Sequence, residues 1–104
     1  IEVFQSVGKP LVPMTGEGNN GFLKTWKESG VEAVAPVFTP GLGPAVIRAA
    51  VALLEGKSLH RTYYSAPEPI TNANVDDFFR PDLNDAFWVP STLPEEELQS
   101  RFKR

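Results

Sequence analysis

The chain has no cysteine, which excludes a disulfide framework and any thiolate metal site and leaves the redox compartment undetermined. Its single histidine, His60, has no Cys companion and no His-x-x-Glu neighbour, so metal binding and proton shuttling lack their usual residue. Cations are few: ten Lys and Arg stand against thirteen Asp and Glu, for a net charge of -3. Apart from Arg101, Lys103 and Arg104 they are scattered along the chain, so no basic face is offered to a phosphate backbone and no nucleic-acid partner is expected. Long apolar runs are also missing. VEAVAPVF at 31–38 already contains Glu32 and falls far short of the roughly 20 residues that span a bilayer. The G-x-S-x-G elbow and the phosphate loop GxxxxGK[ST] do not occur, and GEGNNG at 16–21, which has the bare GxGxxG spacing, places Glu17 where it would repel a pyrophosphate. With no nucleophile, base or metal set in view, catalysis is not expected.

What is present fits one domain at most, since 104 residues are too few for two. IEVFQSV places Ile1, Val3, Phe4 and Val7 on one helical stripe closed by Gly8. No capping residue precedes Ile1, so the chain reads as entering an element begun upstream. PLVPMT reads as a short buried strand with one proline at its start and one at an irregular or edge position. Residues 21–29 form an amphipathic helix, with Phe22, Leu23 and Trp26 opposite Lys24, Lys27 and Glu28, and Gly30 as its stop. The apolar 31–38 is expected to be a strand covered on both faces. PAVIRAAVALLEG follows as a helix from Pro44 to Gly56 whose only polar residues are Arg48 and Glu55, and which therefore needs protein around most of its circumference. LHRTYYSA at 59–66 is a strand candidate by its β-branched and aromatic content. A last helix spans 94–103, acidic at its start and basic at its end, as the helix dipole favours. The order predicts an α/β fold with an open, mostly parallel sheet and flanking helices. The two nearly all-apolar elements predict that the chain is part of a larger body or associates with another chain.

Ligands of open α/β sheets bind outside the carboxyl ends of the strands, and TGEGNNG sits at such an end. Gly16 and Gly18 permit a tight turn, either Asn19 or Asn20 can cap the helix, and Glu17 with the remaining amide is left to face a cleft. A plain strand-to-helix turn with an Asn cap explains the same residues. A hairpin at Asn20-Gly21 does not suit the helical periodicity that follows. A neutral polyol matches the paired donors and acceptors better than an anion, which Glu17 would repel. Elsewhere, DLNDAF opens like a calcium loop but puts Ala86 and Leu93 where ligands are needed, and no metal or cofactor is expected. Asp76, Asp77, Asp82 and Asp85 read as solvated turn-formers. Phe78, Phe79, Phe87 and Trp88 read as core or interface before sugar platform.

The segments VPMTGEGNNGFLKTWKE, PGLGPAVIRAAVALLEGK, TNANVDDFF and DAFWVPSTLPEEELQ, in this order over nearly the whole chain, resemble the C-terminal part of periplasmic sugar-binding proteins of ABC importers. The group is the ribose-binding-like one, with the type I periplasmic binding protein fold. The resemblance implies two α/β lobes joined by crossing segments and closing on ligand. Residues 1–37 would belong to one lobe, 38–43 to a hinge crossing, 44–63 to the other lobe, 64–70 to a second crossing, and 71–104 to an irregular tail with the terminal helix. It implies ligand contacts at Glu17, Gly18, Asn19 and Asn20 in the loop and at Phe38 and Thr39 in the crossing. The aspartate of the family pattern falls on or next to Gly18, leaving Glu17 or Asn19 to substitute, and Phe38 stands in place of a polar amide. The implied partners are a sugar or related polyol, the membrane permease of an ABC importer, and the remainder of the same protein or another copy completing the fold, in the periplasm. Bacterial sugar-responsive repressors carry a regulatory domain of the same fold; an upstream signal peptide or an upstream helix-turn-helix would separate the two.

Overall fold

Local signals set most of the helices in the computed structural model, which describes residues 1–38, 41–64 and 67–104. Helix α1 (Glu2–Ser6) is followed by Gly8 at φ 65°. Helix α2 (Asn20–Ser29) starts at the Asn19 cap and ends where the left-handed Gly30 donates its N–H to the Trp26 carbonyl at 3.0 Å. Its inward stripe, Leu23 and Trp26, is buried. Helix α5 (Glu95–Phe102) carries three glutamates in its first turn and Arg101 in its last, and buries Leu98.

Three short strands, β1 (Met14–Thr15), β2 (Ala33–Ala35) and β3 (Ile70–Thr71), form one sheet in that order. β1 and β2 are parallel, with Met14 opposite Ala33; β2 and β3 are antiparallel, with Val34 opposite Thr71. The fold is therefore mixed α/β, and the sheet is mixed where a mostly parallel one was expected. The strand expected at 59–66 is not formed by its described residues 59–64. Tyr63 and Tyr64 lie exposed, with no sheet face to bury them. The third strand is instead specified by the asparagine beside it: Asn72 donates to the Val31 carbonyl and accepts from the Ala33 N–H, both at 2.9 Å. One side chain thus satisfies two backbone groups at the start of β2 and fixes the pairing. The short helix α4 (Val75–Phe78) follows directly.

One face of the sheet is covered. Ala33, Ala35 and Ile70 are buried against Leu23, Trp26 and Val31, and the 71–104 stretch completes this core with Val75, Leu83, Phe87, Val89 and Leu98. The opposite face is open, with Val34 42% exposed, against the expectation of cover on both sides. Helix α3 (Leu42–Leu54) is likewise uncovered: none of its thirteen residues is buried, and Leu54 is 89% exposed. The radius of gyration of 17.3 Å exceeds the roughly 13 Å of a compact chain of this length. An apolar helix and an apolar sheet face left in solvent forfeit about 25 cal/mol per Å2 of the burial that ordinarily stabilises such elements.

Candidate functional site

Because β1 and β2 run parallel, the loops that follow them leave from the same edge of the sheet. Gly16 marks this edge, donating its N–H to the Val34 carbonyl at 3.1 Å. The loop at 16–19 is then held from the far end of the chain. Val89 N–H donates to the Gly18 carbonyl at 2.8 Å, Asn20 N–H to Phe87 at 2.8 Å and Gly21 N–H to Asp85 at 3.2 Å, while Asn19 forms an antiparallel bridge with Trp88. Residues 85–89 thus lie antiparallel against the start of α2.

The two asparagines divide their work. Asn19 is the cap, its Oδ1 accepting the Phe22 N–H at 3.3 Å. Asn20, expected among the ligand contacts, is fully buried. Its amide nitrogen donates to the carbonyls of Arg80, Leu83 and Asn84, and its oxygen accepts the Arg80 N–H. Both amide hydrogens and one oxygen lone pair are engaged within the fold, and the side chain has no exposed surface to offer a ligand. Gly18 is buried, and a Cβ there would come closer than 3.0 Å to the Val89 carbonyl oxygen, so only its backbone could face a ligand. Glu17 is exposed, and Phe38 leaves the same edge 71% exposed. Thr39 lies outside the described residues.

Beside this edge is a cleft of about 240 Å3. Gly41 and Pro44 reach it from the cap and first turn of α3, and Trp88, Pro90, Ser91 and Thr92 from the segment bridged to the loop after β1. Glu17 and Phe38 share the edge but do not line the cleft. Phe87, Trp88 and Phe102 supply its aromatic wall, and among the described residues none that lines it carries a charge. FWVPST therefore contains the contribution that sequence reasoning missed: an aromatic next to Pro, Ser and Thr is a wall beside hydroxyls, and its neighbour Phe87 drew the whole group into the core reading. Among the described residues no group of three His, Asp or Glu could hold a metal ion, and no helix is long and apolar enough to cross a membrane.

A charged cluster ties the 80–82 turn to the first turn of α5. Arg80 donates to Asp82 at 2.7 and 2.8 Å and to Glu95 at 2.6 and 3.1 Å, and Gln99 donates to both carboxylates. These hydrogen bonds, Arg80's first, hold the Asp82 and Glu95 carboxyls below their ordinary range, and the same pairs raise the guanidinium. A carboxyl that ionises more readily in the folded state stabilises it above the ordinary carboxylate range and loses that contribution as pH falls through the folded value. Folding stability is therefore expected to drop on acidification below about pH 4, and to drop less in Arg80→Gln. Exposure and screening keep the effect modest and reduce it in molar salt. Urea unfolding midpoints of both proteins across acidic pH check this; parallel curves would show that the pairs contribute nothing.

Comparison with protein families, characterised proteins and solved structures found no match to this chain.

Proposed function

We propose that this chain is part of a non-catalytic binding protein for a neutral sugar or related polyol, of the type I periplasmic binding protein kind. In this reading 1–37 and 44–63 belong to two lobes, 38–43 and 64–70 cross between them, and ligand closes the lobes for recognition by an ABC importer's permease in the periplasm. The observation that carries the reading is the uncharged, aromatic-walled cleft with hydroxyls on its lining, at the carboxyl edge of a parallel strand pair, where open α/β sheets take their ligands. The bare α3 and the open sheet face support it further, as surfaces for the rest of the same protein or another copy to cover.

Glu17 stands exposed on that edge and is the carboxylate available to accept sugar hydroxyls across the closed cleft. Glu17→Gln is expected to weaken binding by roughly 1–3 kcal/mol, the cost of a hydrogen-bonded charged acceptor. Calorimetry of the full-length protein against neutral monosaccharides tests both statements. Unchanged affinity removes Glu17 from the site, and no heat with any monosaccharide, together with no co-purifying sugar by mass spectrometry, removes the function.

A further inference from the structure

We infer that the end of α2 carries a second, separate site, for a small free α-amino acid held as its zwitterion between Trp26, Lys27 and Asp76. Trp26 is 1% exposed, and among the described residues its indole nitrogen is the one buried side-chain polar atom without a hydrogen-bond partner. A buried donor left without an acceptor costs folding free energy, so the fold is stabilised by a ligand that supplies one. The ring itself is fixed, packed in the core and tilted against Phe22 with centroids 5.6 Å apart. Trp26 lines a groove of about 220 Å3 together with Lys27, Gly30, Asn72, Val75 and Asp76, and no residue of this groove lines the cleft.

The lining selects the ligand. The indole N–H and the Lys27 ammonium are donors, and both suit a carboxylate. Asp76 is an anion, and Gly30 marks the carboxyl end of α2, where the helix dipole favours a cation. Asn72 adds nothing polar, because its amide is taken at both ends by Val31 and Ala33. An anion alone would meet Asp76 and a cation alone would meet Lys27, so only a molecule carrying both charges finds a partner for each. Val75 gives a short apolar side chain a surface to lie against. In the ligand-free chain Lys27 and Asp76 pair with each other, the ammonium 4.9 Å from the centroid of the Phe79 ring. An exposed pair of this kind contributes little. A zwitterion replaces that one weak pair with two and adds the hydrogen bond that the indole lacks.

The test uses the full-length protein with glycine and L-alanine, and with acetate and methylamine as the two halves of the ligand. Calorimetry gives the affinity, and NMR of the indole N–H groups gives the place. The Trp26 signal is assigned with Trp26→Phe, or by replacing the other tryptophans one at a time if that variant fails to fold. Glycine or L-alanine is expected to bind at least about tenfold more tightly than acetate or methylamine, and to move the Trp26 indole proton downfield, as a new hydrogen bond does. Lys27→Met and Asp76→Asn, both changes at the surface, are each expected to lose about tenfold in affinity. An unmoved Trp26 signal, with or without heat of binding, overturns the site. Equal binding of acetate or methylamine, or wild-type affinity in both variants, overturns it as well. A Trp26 proton already downfield before any addition and unmoved by glycine does the same, since another part of the protein then supplies the acceptor.

Discussion

Asn20→Ala is expected to lower the unfolding free energy by about 3–5 kcal/mol, at the upper end of what single substitutions do. The amide donates to three carbonyls, Arg80 at 2.8 Å, Leu83 at 2.9 Å and Asn84 at 3.2 Å, and accepts the Arg80 N–H at 3.0 Å. An amide has two N–H hydrogens, so one of the three donations is shared, and only the orientation with nitrogen toward the carbonyls satisfies all four groups. Truncation leaves one backbone donor and several acceptors without this partner in a site where the side chain is 0% exposed. Each such orphan costs about 1–3 kcal/mol if water cannot replace the bond. The loss is comparable with the whole stability of a small domain, and Asn20→Asp is expected to be no better, since it turns a buried negative oxygen toward carbonyls. By contrast, Asn19→Ala removes only a cap, about 1 kcal/mol. Urea unfolding followed by circular dichroism compares the three. A loss below about 1 kcal/mol in Asn20→Ala would mean that the 80–84 turn holds its shape without the amide.

This residue also shows where sequence reasoning reaches and where it stops. That one of two adjacent asparagines caps α2 is a local fact, read from their position before a helical stripe, just as Gly8 and Gly30 mark helix ends by their left-handed backbones. Which asparagine turns inward is decided by carbonyls sixty residues away, and no spacing rule in a single sequence contains them. The third strand failed for the same reason. LHRTYYSA has the composition of a strand, but the edge of β2 is taken by Ile70–Thr71, which Asn72 secures. Propensity was overridden by a hydrogen bond between distant residues.

The candidate site was legible as a place more than as a set of side chains. Parallel pairing of β1 with β2 puts the loop at 16–19 and the connection after Ala35 at one edge, which alternation of helix and strand predicts. Of the side chains, Glu17 and Phe38 are exposed there, Asn20 is withdrawn into the fold, and Trp88 enters from a segment seventy residues further on. The excess apolarity of α3 was legible too, and its cover is missing: Val46, Ile47, Leu53 and Leu54 all lie in solvent. A helix of that composition is stable only against another apolar surface.

Gly18→Ala and Gly43→Ala are expected to move stability in opposite directions. At Gly18 the added Cβ meets the Val89 carbonyl oxygen closer than 3.0 Å. Neither partner can retreat, because Val89 N–H is bonded to the Gly18 carbonyl at 2.8 Å and the next residues are joined by Asn20 to Phe87 at 2.8 Å. Relief requires pulling the 85–89 segment off the loop, at a cost of about 2–3 kcal/mol for overpacking a rigid contact. The neighbouring Gly16 differs, since its Cβ would meet the Phe22 ring, which a change of rotamer can move aside. At Gly43, in the first turn of α3, the new methyl would meet no heavy atom of the described residues within 4 Å beyond its chain neighbours and the helix's own backbone, and removing glycine's backbone freedom is expected to gain about 0.5 kcal/mol. The same displacement at Gly18 would shift Trp88, which is bridged to Asn19 at the cleft wall, so on the proposed function sugar affinity is expected to fall with stability in Gly18→Ala and to stay unchanged in Gly43→Ala. Unfolding midpoints and calorimetry on both variants decide it. A Gly18→Ala protein as stable as the parent would mean that the loop and the 85–89 segment are not clasped together, and the cleft would lose the framework that holds its tryptophan in place.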